Sequence, residues 1–291
     1  MSNRFQRLVP PLVLLVTLFE PTAASPRTDT RNLPPIVATE TIRGALPGTW
    51  RVIRTRRATD VRWESGATSW SRRIPGPFGL PVVTSRGLRA GPTLDGAAIV
   101  LASAPLRVGT KWSSSFAVVT KTRARTISLP GQWAFDAISP NGNNLFLTES
   151  VGPGRYWVRS VDTTTGKAGA PLVTKAISFD PPTTAVEDGP MEGMPLDRIV
   201  SPDGLVLYTL YESPSHPFIH ALNIGDGWAL CYDLPDTLRS RVLGFVLRSG
   251  LADGIIDVVD AGAIAAQITL PGSKFGTSVR LPGTSRPPVV N

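Results

Sequence analysis

The chain has 291 residues, a formal net charge of +8 and one cysteine, Cys231. That length buries a core without cross-links, and a single cysteine excludes an intrachain disulfide. Gly and Pro number 27 and 28, and Arg outnumbers Lys 25 to 5, a composition that disfavours long helices and fits a GC-rich genome.

At the N-terminus, Arg4 and Arg7 precede an apolar run, Leu8 to Phe19. Thr22-Ala23-Ala24 places small residues at −3 and −1 of a cut before Ser25. The run is shorter than the roughly 20 residues that a membrane span needs. Residues 1–24 are therefore expected to be a signal peptide, giving a secreted, extracytoplasmic protein with no transmembrane span after cleavage. No cysteine follows the run and no Arg pair precedes it, so neither a lipid-modified terminus nor the twin-arginine route has support. Residues 25–48 are polar and carry Pro34-Pro35, which predicts a flexible N-terminal segment. A folded unit is expected over 49–283, with a C-terminal tail over 284–291.

Charge is uneven along the chain. Residues 25–91 hold 12 Arg, no Lys and 4 acids, whereas 92–291 hold 16 bases and 17 acids. Arg51, Arg54, Arg56, Arg57, Arg62, Arg72 and Arg73 form the strongest candidate binding cluster. Outside a cell such a cluster suits a protein, an anionic cell-envelope polymer or phospholipid headgroups, with binding that weakens in salt. The competing reading is a basic surface imposed by codon bias. No aromatic-basic recognition module accompanies the cluster, so nucleic acid is not an expected partner.

From Thr49 onward, short apolar strands alternate with Gly, Pro, Asp and Asn turns, and no helical period persists. A Ser/Thr-x-Asp/Asn-Gly turn followed by an apolar strand recurs. It reads Thr93-Leu94-Asp95-Gly96, Ser139-Pro140-Asn141-Gly142 and Ser201-Pro202-Asp203-Gly204, with a weaker copy at Leu251-Ala252-Asp253-Gly254. Hairpins form a second repeat, with strands ending at Val119, Val161, Leu222 and Val259 before their turns. Those positions lie 42, 61 and 37 residues apart. Blades of the WD40 kind take about 40–45 residues. A Pro- and acid-rich insertion over 175–198 accounts for the long interval. A weaker hairpin from Asp60 to Arg72 adds one further unit. The expected fold is all-β, a β-propeller of about five or more four-stranded blades; a β-sandwich is the competing architecture.

These repeats resemble the YncE-like, or YVTN-repeat, β-propellers. The likeness rests on Ser139-Pro140-Asn141-Gly142, on Leu145-Phe146-Leu147, on the hairpin Val161-Asp162-Thr163-Thr164-Thr165-Gly166-Lys167, and on Ser201-Pro202-Asp203-Gly204. Trp133 to Pro140 and Tyr208 to Tyr211 add a similarity to exported actinobacterial propellers of unassigned role. The resemblance covers about residues 60–272 and implies a WD40-like fold while saying almost nothing of function.

His216 and His220 are the only histidines. In a strand they would share a face about 13 Å apart, at ~3.3 Å per residue, too far to hold one ion. No Gly-x-Ser-x-Gly elbow is present. Leu281-Pro282-Gly283-Thr284-Ser285 lacks the apolar segment and basic tail of a wall-sorting signal and reads as a turn. The acids Asp180, Glu187, Asp188, Glu192 and Asp197 lack calcium-loop spacing and read as a solvated loop, with Met191 and Met194 able to pack as a lid. Cys231 lies in an apolar strand and reads as a buried thiol. No cofactor or metal is expected. The functional expectation is a secreted, non-enzymatic propeller that binds a protein or an anionic envelope polymer. The alternative is an extracytoplasmic hydrolase or lyase with its site at the central channel.

Overall fold

The computed structural model describes residues 36–44, 47–172, 174–179, 182–187, 189–249, 254–270 and 278–280. The expected signal peptide, the C-terminal tail, the Leu251-Ala252-Asp253 turn, the Leu281 turn, Asp180 and Asp188 lie outside the described residues.

The fold is all-β, and the described residues build five successive sheets, antiparallel apart from one parallel pair of strands. Sheet 1 comprises β1 (Ile36–Arg43), β2 (Thr49–Thr55), β3 (Ala58–Ser65) and β4 (Thr68–Pro75), in sequence order. The β1 strand therefore lies upstream of Thr49, inside the segment expected to be flexible. Sheet 2 comprises β5 (Ala98–Ala102), β6 (Leu106–Val108), β7 (Lys111–Thr120) and β8 (Ala124–Pro130). Its innermost position is irregular: Pro92 bridges Ile99, and the Val100 N–H donates to the Gly91 carbonyl. Sheet 3 comprises β9 (Trp133–Ile138), β10 (Asn144–Gly152), β11 (Arg155–Asp162) and β12 (Ala168–Pro171).

The insertion follows, and it is strand rather than solvated loop. β13 (Thr174–Phe179) and β14 (Pro182–Glu187) form a hairpin, and β15 (Met191–Glu192) pairs with β11. Met191 is buried and Met194 exposed, so the two do not act together as a lid. Sheet 4 comprises β16 (Met194–Val200), β17 (Val206–Glu212), β18 (Phe218–Asn223) and β19 (Trp228–Asp233). The β13 strand adds to its outer edge, parallel to β19. A 3-10 helix over Asp236–Gly244 leads to sheet 5: β20 (Val246–Ser249), β21 (Ile255–Asp260), β22 (Ala263–Thr269) and β23 (Ser278–Arg280).

Side-chain chemistry explains the recurring turn. In each copy the hydroxyl of Thr93, Ser139 or Ser201 donates to the Asp95, Asn141 or Asp203 side chain at 2.5–2.8 Å. The same hydroxyl accepts a backbone N–H five residues on, at 2.9–3.0 Å. Gly96, Gly142 and Gly204 adopt φ of 65–76°, the left-handed region where a Cβ is costly. Thr substitutes for Ser, and Asn for Asp, because each supplies the oxygen that the turn needs. In sheets 3 and 4 the turn joins the first strand to the second. Hairpin equivalence is less regular. Those after Val119, Val161 and Leu222 join the third and fourth strands, but the one after Val259 joins the second and third strands of sheet 5. A period-2 apolar pattern reads alike in both places, so sequence spacing could not separate them.

Residues alternate between two buried faces in the interior sheets. Ile99, Leu101, Ala117 and Val119 of sheet 2 pack on Trp50, Val52 and Val61 of sheet 1. Their neighbours Val100, Phe116 and Val118 pack on Phe135, Leu145 and Leu147 of sheet 3. Ala137 and Phe146 of sheet 3 meet Leu207, Leu222 and Ala229 of sheet 4. Tyr208, Leu210 and Ile219 of sheet 4 meet Ile256, Val258 and Ile268 of sheet 5. Each fully buried Leu, Ile or Phe at these seams contributes about 1.5–3 kcal/mol. Neither face of an interior sheet can be left in water, which is why the sheets stack in series.

Contacts between non-neighbouring sheets show that the stack curves around an axis. The connector after sheet 1 reaches across. The Ser85 N–H donates to the Pro195 carbonyl at the start of sheet 4. Arg86 donates to the Leu243 and Phe245 carbonyls just before sheet 5, at 2.6 and 2.7 Å. At the opposite end, a Cβ on Gly204 would lie 2.5 Å from Leu94 Cδ1, so the sheet 2 turn rests on the sheet 4 turn. A two-layer sandwich would not bring sheets 2, 4 and 5 together in this way. The architecture is a β-propeller, with five sheets among the described residues. Among the described residues, no hydrophobic cluster joins sheet 1 to sheet 5.

Candidate functional site

Two regions depart from apolar stacking. The first is the free face of sheet 1. Trp50, Val52, Val61 and Ile74 turn toward sheet 2, with Trp50 edge-on to Trp70 at 5.2 Å. The alternate residues Arg43, Arg51, Arg62 and Arg73 are exposed on the other side, with Thr39, Thr41, Glu64, Ser69 and Ser71. Arg51 stands directly opposite Arg62 across the β2–β3 pair. Like charges in that position destabilise a sheet. Asp60 offsets Arg73 at 3.5 Å.

The seven arginines singled out in the sequence divide into three groups. Arg51, Arg62 and Arg73 share this open face, and Arg56 and Arg57 are exposed at the β2–β3 turn. Arg54 and Arg72 instead face sheet 2. Arg72 donates to the Thr120 and Lys121 carbonyls at 3.3 and 2.7 Å. Arg54 lies beside the Glu40 carboxylate, where the two would both crowd a Cβ on Gly79. These two serve the fold. Sequence reasoning missed Arg43, because a strand could not be recognised in a polar segment.

The second region is the seam between sheets 3 and 4. On the face of sheet 4 toward sheet 3, strand register aligns Arg198, Thr209, His220 and Cys231 in one row across four strands. Arg198 donates to Thr209 Oγ1 at 2.8 Å, to the Asp136 carbonyl at 2.7 Å and to Asp136 Oδ1. Its side chain is 6% exposed and that of Asp136 4%. Asp136 lies on β9 and Arg198 on β16, so a buried ion pair ties the inner strands of two sheets. Burial pushes the His220 imidazole down to about 4; the Asp136 carboxylate opposes this shift and Arg198 adds to it. His220 is therefore neutral at pH 7. Burial likewise pushes the Tyr156 and Tyr211 phenols well up.

The next row toward the sheet end is Tyr211, Phe218 and Asp233. Tyr211 and Phe218 stack at 5.0 Å with nearly parallel rings. Beyond them a cavity of about 350 Å³ opens, lined by residues 189–192, Ser213, Ser215, His216, Phe218, Cys231 and Asp233. His216 Nε2 lies 3.0 Å from Asp233 Oδ1, and the Ser213 and Ser215 hydroxyls are 3.0 Å apart. His220 lies on β18, whereas His216 lies in the connection that precedes that strand. This imidazole–carboxylate pair belongs to the outer half of sheet 4 rather than to the inner strands. Among the described residues no group of three His, Cys, Asp or Glu could hold a metal ion. Asp197, one of the insertion acids, accepts the Leu247 N–H at 2.7 Å and ties sheet 4 to sheet 5. Among the described residues no helix is long and apolar enough to cross a membrane.

No protein-family profile and no curated protein matches the chain. Solved structures with a similar course of the backbone include a prolyl endopeptidase, at 12% identity and a TM-score of 0.46, covering 84% of this chain and 36% of that one. TolB from Acinetobacter baumannii is 11% identical with a TM-score of 0.38, covering 80% and 49%. The β-propeller domain of the Trilobed protease from Pyrococcus furiosus, described as having an open velcro topology, is 9% identical with a TM-score of 0.36, covering 83% of each. The chain thus spans about a third to a half of the length of the first two.

Proposed function

We propose that this propeller is an extracytoplasmic, YncE-like binding protein. Its partner is an anionic cell-envelope polymer, held on the free face of sheet 1. The observation that carries the reading is the chemistry of that face. The interior sheets bury apolar residues on both sides, whereas sheet 1 turns four arginines outward and sets Arg51 against Arg62. A polyanion threading between such a pair removes the repulsion and gains charge-assisted hydrogen bonds. Arg56 and Arg57 extend the basic surface around the strand turn. The Arg4, Arg7 and apolar N-terminal pattern supports export. The hydrolase or lyase alternative needs polar residues converging at the central channel; Asp233 of the imidazole–carboxylate pair stands at the end of β19, the fourth strand of its sheet.

Titration of the full chain with soluble polyphosphate and with poly-γ-glutamate, at low and high salt, tests this reading. Binding should weaken with salt, and the double variant Arg51→Thr, Arg62→Thr should lose most of it. Arg107→Thr, on sheet 2, should retain it. Unchanged binding in the double variant sinks the proposal. Preferential capture by anionic vesicles over polymer would redirect it to a lipid surface.

A further inference from the structure

We infer that the cavity at the end of the sheet 3–sheet 4 seam binds a small organic ammonium ion, headed by Asp233 and packed against Phe218. Strand direction builds the site. In an antiparallel sheet the start of the first strand, the connection between the second and third, and the end of the fourth share one end. In sheet 4 these are residues 189–192 leading into β16, Ser213 to His216 between β17 and β18, and Asp233 at the end of β19. All of them line the cavity, with Cys231 and Phe218 toward its floor. At about 350 Å³ it is at the small end of ligand sites, roomy enough for a ring bearing a short amine.

Charge selects the ligand class. Asp233 and Glu192 are the ionisable acids among the described lining residues, and those residues include no Arg or Lys. Asp233 Oδ1 is buried, yet it accepts no aligned hydrogen bond, although His216 Nε2 lies 3.0 Å away. A carboxylate oxygen whose neighbouring imidazole is not aligned to donate gains a charge-assisted hydrogen bond from a ligand N–H. Glu192 is exposed and stands opposite Arg155 across the β11–β15 pair, so Asp233 carries the attraction. The Phe218 ring, fixed by its stack on Tyr211, offers a π-face to the cation. The Ser213 and Ser215 hydroxyls supply further acceptors at the rim. The buried His220 Nε2, which has no hydrogen-bond partner, belongs to this same seam, as does the Tyr156 phenol beside Tyr211. Tyr156 pairs across strands with Met191, a lining residue, and His220 with Cys231, another. An anion would meet the Asp233 and Glu192 carboxylates, with His216 already drawn to Asp233. A neutral alcohol would gain hydrogen bonds but forgo the Coulomb energy.

Calorimetric titration of the full chain with phenethylamine, phenethyl alcohol and hydrocinnamate reads out the choice. The amine is expected to bind saturably, the alcohol about tenfold or more weakly, and the carboxylate not at all. Asp233→Asn should lower amine affinity by about tenfold or more while leaving alcohol binding unchanged. Phe218→Leu should weaken the amine more than the alcohol. In the wild-type chain, amine-induced NMR shifts should centre on Ser213 to Phe218, so the inference does not depend on a variant folding. Equal binding of amine and alcohol, an unaffected Asp233→Asn variant, shifts centred elsewhere, or no saturable amine binding would each overturn it. Polyanion titration reports on sheet 1 alone, so the two sites fail independently.

Discussion

Replacing Arg198 by Met removes the positive half of a nearly dry ion pair. The two side chains are 6% and 4% exposed, and the guanidinium makes three hydrogen bonds, two of them to Asp136. Breaking such a pair strands a carboxylate in the sheet 3–sheet 4 seam, at a cost of about 3–5 kcal/mol. Domain stability is typically about 5–15 kcal/mol, so this is a large fraction of it. For a domain of this size the melting temperature should fall by roughly 10 °C. Asp136→Asn leaves the guanidinium buried without its counter-charge, and it should also destabilise, though less, because the carbonyl contact and an amide oxygen remain. The double variant should be more stable than the sum of the single losses predicts, since neither charge is then left alone. Urea unfolding followed by the fluorescence of the seven tryptophans measures all three. A loss below about 1 kcal/mol for Arg198→Met, or strict additivity in the double variant, would refute the view that this pair holds the two sheets in register.

Other outcomes follow from the same geometry. His220 titrates at about 4 in the folded chain and at its ordinary 6.5 when unfolded, so the unfolded chain binds more protons between those values. Stability is therefore full above pH 6.5 and falls by up to about 1.4 kcal/mol per unit as pH drops toward 4. His220→Gln should flatten that part of the pH–stability curve; a curve unchanged by the substitution would contradict the assignment. Gly193 sits at φ +145° with its Cα facing the Glu212 carbonyl, so Gly193→Ala should cost at least the ~1–3 kcal/mol of backbone strain, read by thermal melting. Arg62→Thr should raise stability of the free protein by about 0.2–1 kcal/mol while weakening polyanion binding. A drop in stability would show that Arg62 supports the sheet instead.

The sequence alone determined the local units. A hydroxyl, a side-chain oxygen and a glycine at fixed spacing suffice to close the Thr93, Ser139 and Ser201 turns, and each contact spans five residues or fewer. Alternation of apolar residues likewise made the strands of sheets 2 to 4 legible, as did the insertion that lengthens one interval. Tertiary structure decided everything that depends on which strands become neighbours. Arg198 reaches Asp136 across 62 positions, and His220 meets the same pair only through strand register. Sorting Arg51 and Arg62 from Arg54 and Arg72 required knowing which side of sheet 1 faces sheet 2. The role inferred for Asp233 depends on β18 beginning, and β19 ending, beside residues 189–192. Turns are held by contacts within a few residues, which composition and spacing record; seams and cavities arise from long-range register, which a single strand's pattern does not encode.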